Sequence, residues 1–489
     1  MACGRECAVI DAFCTLDAMV SSRIYDDREM SASGQSFTRT NHLRKSSVDR
    51  RTALRAIGMF AAAESITPVA VSAAAVLQHA NGPAAPLPPS PTLPDPLIFR
   101  NGDRVRNPHD WRRRRLEILA TATAQMYGVA PSARGLRFEV MERDGDAFGG
   151  LALRRQVKLL FKGSSDGPSA DLLLYVPRHV RRAPVILGLN FWGNQTVCSD
   201  PGIRLSERWV ESGSNPFIDL SCVVDHRATE RCRGIDARRW PVENILARGY
   251  GFATMYRGDI DPDVADGRVP SLRNAYPELQ SRGDNFAAIG AWAWSLSRVL
   301  DYLETDRAVN ASRVAVFGWS RLGKAAVWAG ASDPRFAAII SHESGAGGAK
   351  LFRRDVGEDI HRLNTHFPYW FCANFKAYDG MDRELPFDQH LILSCIAPRP
   401  LYIGSAAGDT LSDPEGEFTS GVLASRVYRF LGFDGLSATT MPPVGGSITG
   451  RVSYQIRPGG HDVLDYDWGK YLDFFDVWLK AGGHAAQVT

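Results

Sequence analysis

A serine stands where an apolar run passes into an alanine-rich helical stretch. The segment FGWSRLGKAA, residues 317–326, places Ser320 between Gly318 and Gly323. A strand that turns sharply into a helix at Gly-x-Ser exposes the hydroxyl above the sheet, and the helix N-terminus there favours an oxyanion. The usual pattern has Gly two residues after the serine, whereas this chain has Leu322 there and Gly323 one step later. The pattern predicts a nucleophile; the alternative is an ordinary strand-to-helix turn with a capping serine.

A serine nucleophile needs a base, and the base needs an acid that orients it. His461, in RPGGHDV, follows the last apolar run and precedes the final helical period, so we predict that it is the base. Asp409, in SAAGDTLSDPEG, follows the next-to-last strand, with Asp413 close by, and Glu343, in SHESGAGG, follows the strand after the nucleophile helix. Such carboxylates also serve as helix caps or loop ties. The choice of acid stays open.

Seven apolar runs bounded by turn residues predict the strands that carry these side chains. Several are apolar throughout, as is typical of strands buried on both faces of a parallel sheet. The runs are DLLLYVP (170–177), PVILGLNF (184–191), GFATMY (251–256), RVAVFGWS (313–320), FAAIISHES (336–344), RPLYIGSA (399–406) and VSYQIRPGG (452–460). Helical periods lie between them, from Asp284 to about Glu304, from near Glu417, and in YLDFFDVWLKAGG. This alternation predicts an α/β fold with a mostly parallel sheet flanked by helices, a three-layer sandwich.

Two inserts interrupt this alternation. Residues 198–240 are rich in Arg, Cys and Ser and show no clear element, and residues 258–283 form a long polar loop. Loops of this length in a compact domain are usually functional or disordered. Cys222 and Cys232 lie close enough in the first insert to pair, but the sequence does not decide it.

The first part of the chain has a different composition. Residues 1–47 predict a disordered leader, and residues 48–80 have the arginine pair, apolar stretch and small residues of a twin-arginine export signal. Glu64 interrupts the apolar stretch and the arginines lie far from Met1, which a start codon assigned too far upstream would explain. The alternative is a disordered basic leader. Residues 81–100 predict a Pro-rich linker, and residues 101–485 the folded domain.

Composition excludes several classes of function. The net charge of +3 gives no support to nucleic-acid binding, and no apolar run is long enough to cross a membrane. The cysteines form no CxxC or Cys/His spacing, so we expect no metal site. We expect a monomer.

Several segments resemble the glucuronoyl esterases, carbohydrate esterase family 15, over roughly residues 110–482. They are GWSRLGKAA, SHESGAGG, IAPRPL, SDPEGEF and GGHD, together with LNFWGNQT, RWPVENILARGYGFATMYRGDIDPD and FPYWFCANF, which are similar to the bacterial branch. The order of Leu322, Gly323 and Lys324 is that of this family. The resemblance implies an α/β-hydrolase fold and a double displacement without metal or organic cofactor.

The resemblance also implies roles for further residues. Ser320 attacks the ester and His461 is the base, while Glu343 matches the acid of ESGAGG and Asp409 the alternative acid of bacterial relatives. Arg321 is implied to face the developing oxyanion. The sugar side is implied to consist of Lys324, Glu358 and the position of Leu411. A guanidinium suits an oxyanion, and an ammonium and a carboxylate suit a polyol, although a solvated helix face is the plain alternative for Arg321 and Lys324.

Leu411 departs from the family. Relatives usually place a Trp there against the sugar ring, and Leu offers neither a flat stacking face nor an indole N–H. Trp192, Trp240 and Trp370 are alternative site residues, although a core position suits each of them as well.

The implied substrate is an ester of glucuronic or 4-O-methylglucuronic acid, such as a link between glucuronoxylan and lignin alcohols, and the protein is expected to be exported. Two alternatives remain. One is another carbohydrate esterase, such as an acetylxylan esterase, which the Leu411 departure favours. The other is a sugar-binding protein without catalysis on a hydrolase fold.

Overall fold

The computed structural model describes residues 93–265 and 267–480. The predicted leader (1–47), the predicted export signal (48–80) and most of the predicted linker (81–100) lie outside the described residues. Residues 93–100 contact the domain: His390 binds the carbonyl oxygen of Pro94 at 2.8 Å, and Arg426 pairs with Asp95 at 2.9 Å.

A ten-stranded sheet organises the domain, in the order β1-β2-β3-β7-β4-β8-β9-β10-β12-β11. Its strands are β1 (Arg137–Asp146), β2 (Ala152–Leu160), β3 (Ser169–Pro177), β4 (Ala183–Asn190), β7 (Gly251–Tyr256), β8 (Val309–Trp319), β9 (Ala338–His342), β10 (Leu401–Ala406), β11 (Ser447–Ile448) and β12 (Val452–Arg457). The six strands from β7 to β12 in this order are parallel. β1, β2 and β3 add an antiparallel edge, and β11 pairs antiparallel at the other.

Burial explains which strands the sequence analysis found. β4, β7, β10 and β12 are buried along their whole length, as expected of apolar strands covered on both faces. β1, with the sequence RFEVMERDGD, lies at the sheet edge and alternates between exposed and half-buried residues. Because most residues of β1 are polar or charged, the segment shows no apolar run, and this strand was not predicted.

Helices flank this sheet. They are α1 (Pro108–Ala122), α2 (Val242–Ala247), α3 (Pro277–Gln280), α4 (Ala288–Leu303), α5 (Arg321–Ser332), α6 (Ile360–His366), α7 (Gln389–Ser394), α8 (Pro414–Phe430) and α9 (Asp465–Phe475). α4 packs on α5, and α7 packs on both α5 and α8. α4 begins at Ala288 rather than at Asp284 and is buried except at Arg298 and Asp301. The predicted α/β class, a mostly parallel sheet flanked by helices, is confirmed.

The insert of residues 198–240 is structured, which corrects the expectation of no clear element. It contains a hairpin of β5 (Gly213–Asn215) and β6 (Ile218–Leu220), and a disulfide joins Cys222 to Cys232. The short strands and scattered charges gave no periodicity that would reveal the hairpin. Cys198, Cys372 and Cys395 are buried and free. Within the described part of the chain, the helices are too short or too polar to cross a bilayer.

Candidate active site

Ser320 stands between β8 and α5 in a backbone conformation that few residues adopt. Its φ of 58° and ψ of −133° lie outside the helix and strand regions, and such strain is typical of a nucleophile on a sharp turn. Two glycines make room for this turn. A Cβ on Gly318 would lie 2.1 Å from the carbonyl oxygen of Leu322, and one on Gly323 would lie 2.9 Å from the Cβ of Ser344. The close approach falls on position 323, which explains why a larger side chain fits at position 322.

The backbone of Ser320 is held by hydrogen bonds on both sides. Its N–H donates to the carbonyl oxygen of His342 at 3.0 Å, which ties the turn to the end of β9. Its carbonyl oxygen accepts from the N–H groups of Gly323 at 2.8 Å and Lys324 at 3.1 Å, which starts α5. Sheet and helix together fix the serine, which is half-buried.

The imidazole of His461 lies beside this elbow. Its ring centroid is 5.1 Å from that of Trp319, the residue before Ser320. Its Nδ1 is 2.7 Å from Oδ2 of Asp409 and 3.2 Å from Oε2 of Glu343. A proton on Nδ1 therefore has two carboxylate acceptors, and this tautomer leaves Nε2 free to accept a proton. The structure brings both candidate acids to the same nitrogen.

The two acids differ in their electrostatics. Burial opposes the ionisation of Asp409, but His461 and the hydrogen bonds from Ser412 together outweigh it and hold the pKa of Asp409 below its usual value. Burial, followed by the charge of Asp409, raises the pKa of Glu343 well above its usual value, and Arg457 offsets part of that rise. Asp409 is the carboxylate that stays ionised more readily, and it is also the nearer one.

Glu343, Asp409 and His461 also have the composition of a metal site, since their ligand atoms lie within 4.8 Å of one another. However, the guanidinium of Arg457 donates to Oε1 of Glu343 at 2.6 Å, and the N–H of Asp462 donates to Oε2 at 2.9 Å. The guanidinium of Arg457 already pairs with the carboxylate of Glu343, which a metal ion would need as a ligand. The donor set fits a pair that orients an imidazole better than it fits a metal ion.

Arg457 is a functional residue that sequence reasoning missed. At the end of β12 it binds Glu343 and also Oδ2 of Asp467, at 3.0 Å. It donates further to the carbonyl oxygens of Gly460, at 2.9 Å, and of Asp462. One buried guanidinium thus supports both an acid and the loop that carries His461. The signal was a charged residue at the end of a strand predicted to be buried, a position that requires buried partners.

Arg321, the first residue of α5, points to a buried carboxylate that was also missed. Its guanidinium donates to Oδ2 of Asp263 at 2.7 Å, and its Cζ lies 4.9 Å from the ring centroid of Trp370. Arg257 also pairs with Asp263, and the indole of Trp370 donates to Oδ1 at 2.7 Å. Burial opposes the ionisation of Asp263, but Arg257 and then Arg321 outweigh it and lower its pKa. Asp263 ends RWPVENILARGYGFATMYRGDIDPD, one of the segments that carry the family resemblance, so its position was visible but its role was not.

Lys324 and Glu358 form a second polar pair close to the first. The ammonium of Lys324 donates to Oε2 of Glu358 at 2.7 Å and to the carbonyl oxygen of Ser344 at 2.8 Å, and it lies 5.7 Å from the ring of Trp370. The N–H of Glu358 donates to the carbonyl oxygen of Leu411 at 2.9 Å. Leu411 is half-buried. The structure therefore brings together all three residues that were predicted for the sugar side.

The three candidate tryptophans occupy different places. Trp370 contacts both Arg321 and Lys324. Trp192 lies 5.7 Å from the guanidinium of Arg239. Trp240 packs against Phe317 and Trp468 in the core. Trp370 is thus the one that the described contacts join to the predicted site residues.

Glu417 holds the loop that carries Glu343 and was also missed. Its Oε1 accepts from the N–H groups of Ser344 at 2.9 Å and Gly345 at 3.0 Å, and its Oε2 accepts from the hydroxyl of Ser405 at 2.6 Å. Burial raises the pKa of Glu417 to about 8. It lies in SDPEGEF, one of the segments that carry the family resemblance, so its position was visible but its role was not.

The chain is similar to several known esterases. The sequence model described as "Glucuronyl esterase, fungi" matches residues 265–432. "Carbohydrate esterase MZ0003" from an unknown prokaryotic organism is 42% identical over 399 residues, which are 81% of this chain and 91% of that protein. The structure of a promiscuous CE15 esterase from a marine bacterial metagenome superposes with a TM-score of 0.74 at 42% identity, covering 80% of this chain and 98% of the other. The glucuronoyl esterase of Solibacter usitatus has the same TM-score and coverage at 44% identity.

A serine on a strained strand-to-helix turn, a histidine and a carboxylate on a mostly parallel sheet define an ester hydrolase of the α/β-hydrolase fold. With its long alignments to these relatives, the chain belongs to the glucuronoyl esterase family, carbohydrate esterase family 15. The family resemblance of the sequence and the class of carboxylic ester hydrolase are confirmed.

Proposed function

We propose that the protein hydrolyses esters of glucuronic or 4-O-methylglucuronic acid, such as those that join glucuronoxylan to lignin alcohols. The observation that carries this proposal is the meeting of two groups at one elbow. His461 with its two carboxylates lies on one side, and the Lys324–Glu358 pair lies about one helical turn beyond Ser320. The first group suits acyl transfer and the second suits a sugar bearing several hydroxyls.

The reaction is a double displacement at Ser320. Nε2 of His461 takes the hydroxyl proton as Oγ attacks the ester carbon, and the resulting imidazolium gives that proton to the departing alcohol. Water then attacks the acyl-enzyme with His461 again as the base, and the uronic acid leaves. Asp409 and Glu343 stabilise the imidazolium through Nδ1 and hold its tautomer.

Arg321 acts on the oxyanion in this proposal. Asp263 holds its guanidinium through one terminal nitrogen, while α5 starts at Ser320 and adds the partial positive charge of its N-terminus. We expect Arg321→Ala to lower kcat by roughly 10²–10³, as for the loss of one oxyanion donor. Ser320→Ala is expected to abolish turnover and to leave the fold intact. Turnover of either variant at the wild-type rate would remove that residue from the mechanism.

The sugar side rests on Lys324 and Glu358. Two of the three donors of the Lys324 ammonium are used within the protein. Oε2 of Glu358 accepts from the ammonium of Lys324 and from the N–H of Ala346. The proposed polyol contacts are the third donor of Lys324 and Oε1 of Glu358. Leu411 supplies an apolar contact in place of an aromatic one.

The decisive experiment compares methyl glucuronate with methyl galacturonate esters. The two sugars differ in the configuration of one hydroxyl. A site that binds the sugar hydroxyls should therefore favour the glucuronate by at least tenfold in kcat/KM, because one polar group would be left unpaired with the galacturonate. Equal rates would contradict the proposed sugar specificity without touching the ester chemistry.

A second candidate is an acetylxylan esterase, favoured by Leu411. Acetyl transfer needs no stacking face for a uronic ring, so Leu at this position is no disadvantage. Benzyl glucuronate and acetylated xylan, given to the same preparation, separate the two. Hydrolysis of the xylan alone would select the second candidate.

We further propose export by the twin-arginine route, and a monomeric state. Arg50 and Arg51 support the route, and the Cys222–Cys232 disulfide is typical of an oxidising compartment. Replacing both arginines by lysine should retain the protein in the cytoplasm. Light scattering of the purified protein tests the monomer.

A further inference from the structure

Two consecutive arginines near the end of the insert of residues 198–240, Arg238 and Arg239, have different surroundings. Arg239 is 3% exposed, whereas the side chain of Arg238 is 50% exposed. Arg239 donates to Oδ1 of Asp236 at 2.6 Å and to the carbonyl oxygen of Phe217 at 3.0 Å. A guanidinium buried this deeply needs all of its partners, because an unpaired buried charge is costly.

Arg239 also contacts both parts of the proposed catalytic unit. Its Nε donates to Oδ1 of Asp462 at 2.5 Å, directly after His461 in the chain. Its Cζ lies 4.9 Å from the ring centroid of Trp319, directly before Ser320. One cation from the insert thus bonds to the residue next to the base and stacks on the residue next to the nucleophile.

Phe217 completes this arrangement. Its ring centroid lies 5.7 Å from that of His461 and 5.8 Å from that of Trp319, and Arg239 holds its carbonyl oxygen. Phe217, Trp319 and Asp462, which surround the imidazole of His461, therefore all contact the side chain of Arg239. The hairpin β5–β6 brings Phe217 there, and the Cys222–Cys232 disulfide closes the segment that follows it.

Asp462 receives support from two directions. Its side chain accepts from Arg239 and, at 2.6 Å, from Nη1 of Arg238. Its N–H and carbonyl oxygen bind Glu343 and His342, at 2.9 Å and 2.8 Å. These backbone hydrogen bonds tie the loop to the end of β9. The ion pair with Arg239 joins Asp462 to the side chain that lies over Trp319.

We propose that Arg239 is a positioning residue that holds the His461 loop against the nucleophile elbow and so sets the distance between base and nucleophile. This inference rests on the proposed roles of Ser320 and His461. It gives the insert of residues 198–240 a role in the reaction. A displacement of about 1 Å between reacting groups is enough to cost roughly 10² in rate.

The test compares substitutions of the two neighbouring arginines. Arg239→Gln removes the cation and its stacking on Trp319, and we expect kcat for benzyl glucuronate to fall by roughly 10–10² while KM changes by less than about threefold. Arg239→Lys keeps the charge without the fork that reaches several acceptors, so an intermediate kcat is expected. Arg238→Gln, which removes an exposed ion pair to the same carboxylate, should change kcat by less than about twofold.

Each rate is divided by the concentration of serine that a fluorophosphonate labels at completion, so that a misfolded fraction does not count as slow enzyme. A KM rise with unchanged kcat, or a wild-type kcat in Arg239→Gln, would overturn the inference. If Arg239→Gln does not fold, Asp462→Asn decides, because it keeps the size of the side chain and removes its charge. A kcat loss of about three- to tenfold supports the inference, and a wild-type kcat overturns it.

Ser320→Ala separates this inference from the proposed function. If it is inactive while Arg239→Gln and Arg239→Lys are both as fast as wild type, only the positioning role fails. If Ser320→Ala itself keeps the wild-type rate, the proposed function fails, and with it the basis for the inference.

Discussion

The two carboxylates at Nδ1 of His461 predict a strongly non-additive pair of substitutions. Asp409→Asn removes the nearer acceptor, at 2.7 Å, and a hydrogen bond to a charged group contributes about 1.5–3 kcal/mol. That energy corresponds to roughly 10–10² in kcat. The loss stops there because Oε2 of Glu343 is 3.2 Å from the same nitrogen. The charge of Asp409 also helps to raise the pKa of Glu343, so removing it makes Glu343 ionise more readily.

Glu343→Gln should cost less, about threefold, because Asp409 keeps its bond and its charge. The double variant loses every carboxylate at Nδ1 and should fall by about 10⁴, the cost of removing the orienting acid from a serine hydrolase triad. The double variant is then about a hundredfold slower than the product of the single effects. A coupling of this size, near 2.7 kcal/mol, is large even for residues in contact.

The assay is kcat on benzyl glucuronate at pH 7, divided by the concentration of serine that a fluorophosphonate labels. A loss of about 10⁴ in Asp409→Asn alone would refute the reasoning, because Glu343 would then give no support. A larger loss in Glu343→Gln than in Asp409→Asn, or simple multiplication of the two effects, would refute it as well.

Three other substitutions probe the supports of the site. Asp263→Asn removes the carboxylate that pairs with the buried Arg257 and the half-buried Arg321. Thermal unfolding should therefore show a loss of about 3–5 kcal/mol, and kcat should fall at least tenfold. Wild-type values of both would contradict the role of Asp263. Gly323→Ala brings a Cβ to 2.9 Å from the Cβ of Ser344. Chemical denaturation should show that the free energy of unfolding falls by about 1–3 kcal/mol. Gly469→Ala is the matched control, because its Cβ meets nothing within 4 Å, and it should not lower the free energy of unfolding. Glu417→Gln mimics the protonated acid. Since the folded pKa of Glu417, about 8, lies above its ordinary value of 4.5, the wild type loses stability between those two pH values as the pH rises. The Tm of Glu417→Gln minus the Tm of the wild type should therefore rise by at least a few degrees from pH 5 to pH 8. A Tm difference that stays constant over this range would contradict the raised pKa of Glu417.

The central strands and the elbow could be predicted because their causes are local. Strands such as GFATMY are apolar throughout since both of their faces are covered, and that composition is visible without any partner. The elbow is visible because two short-range contacts, at Gly318 and Gly323, forbid a Cβ. The displaced glycine has a cause that is local in part, since a Cβ at position 323 would lie 3.0 Å from the carbonyl oxygen of Gly318.

The supports of the site could not be predicted because their causes are distant in the chain. Asp263 is 58 residues from Arg321, and Arg457 is 114 residues from Glu343. Only the fold brings these charges together, and each alone is typical of a solvated loop or a strand end. The hairpin of residues 213–220 was missed for a related reason, since its strands of three residues are too short to show a period.

The central claim is that one hydroxyl, that of Ser320, performs the hydrolysis. The most direct measurement follows the rate of benzyl glucuronate hydrolysis against the fraction of Ser320 that carries a fluorophosphonate adduct, with the adduct located by peptide mass spectrometry. The rate should fall in proportion and reach zero when labelling of Ser320 is complete. Hydrolysis that continues on fully labelled protein, or inactivation with the adduct on another residue, would contradict the account.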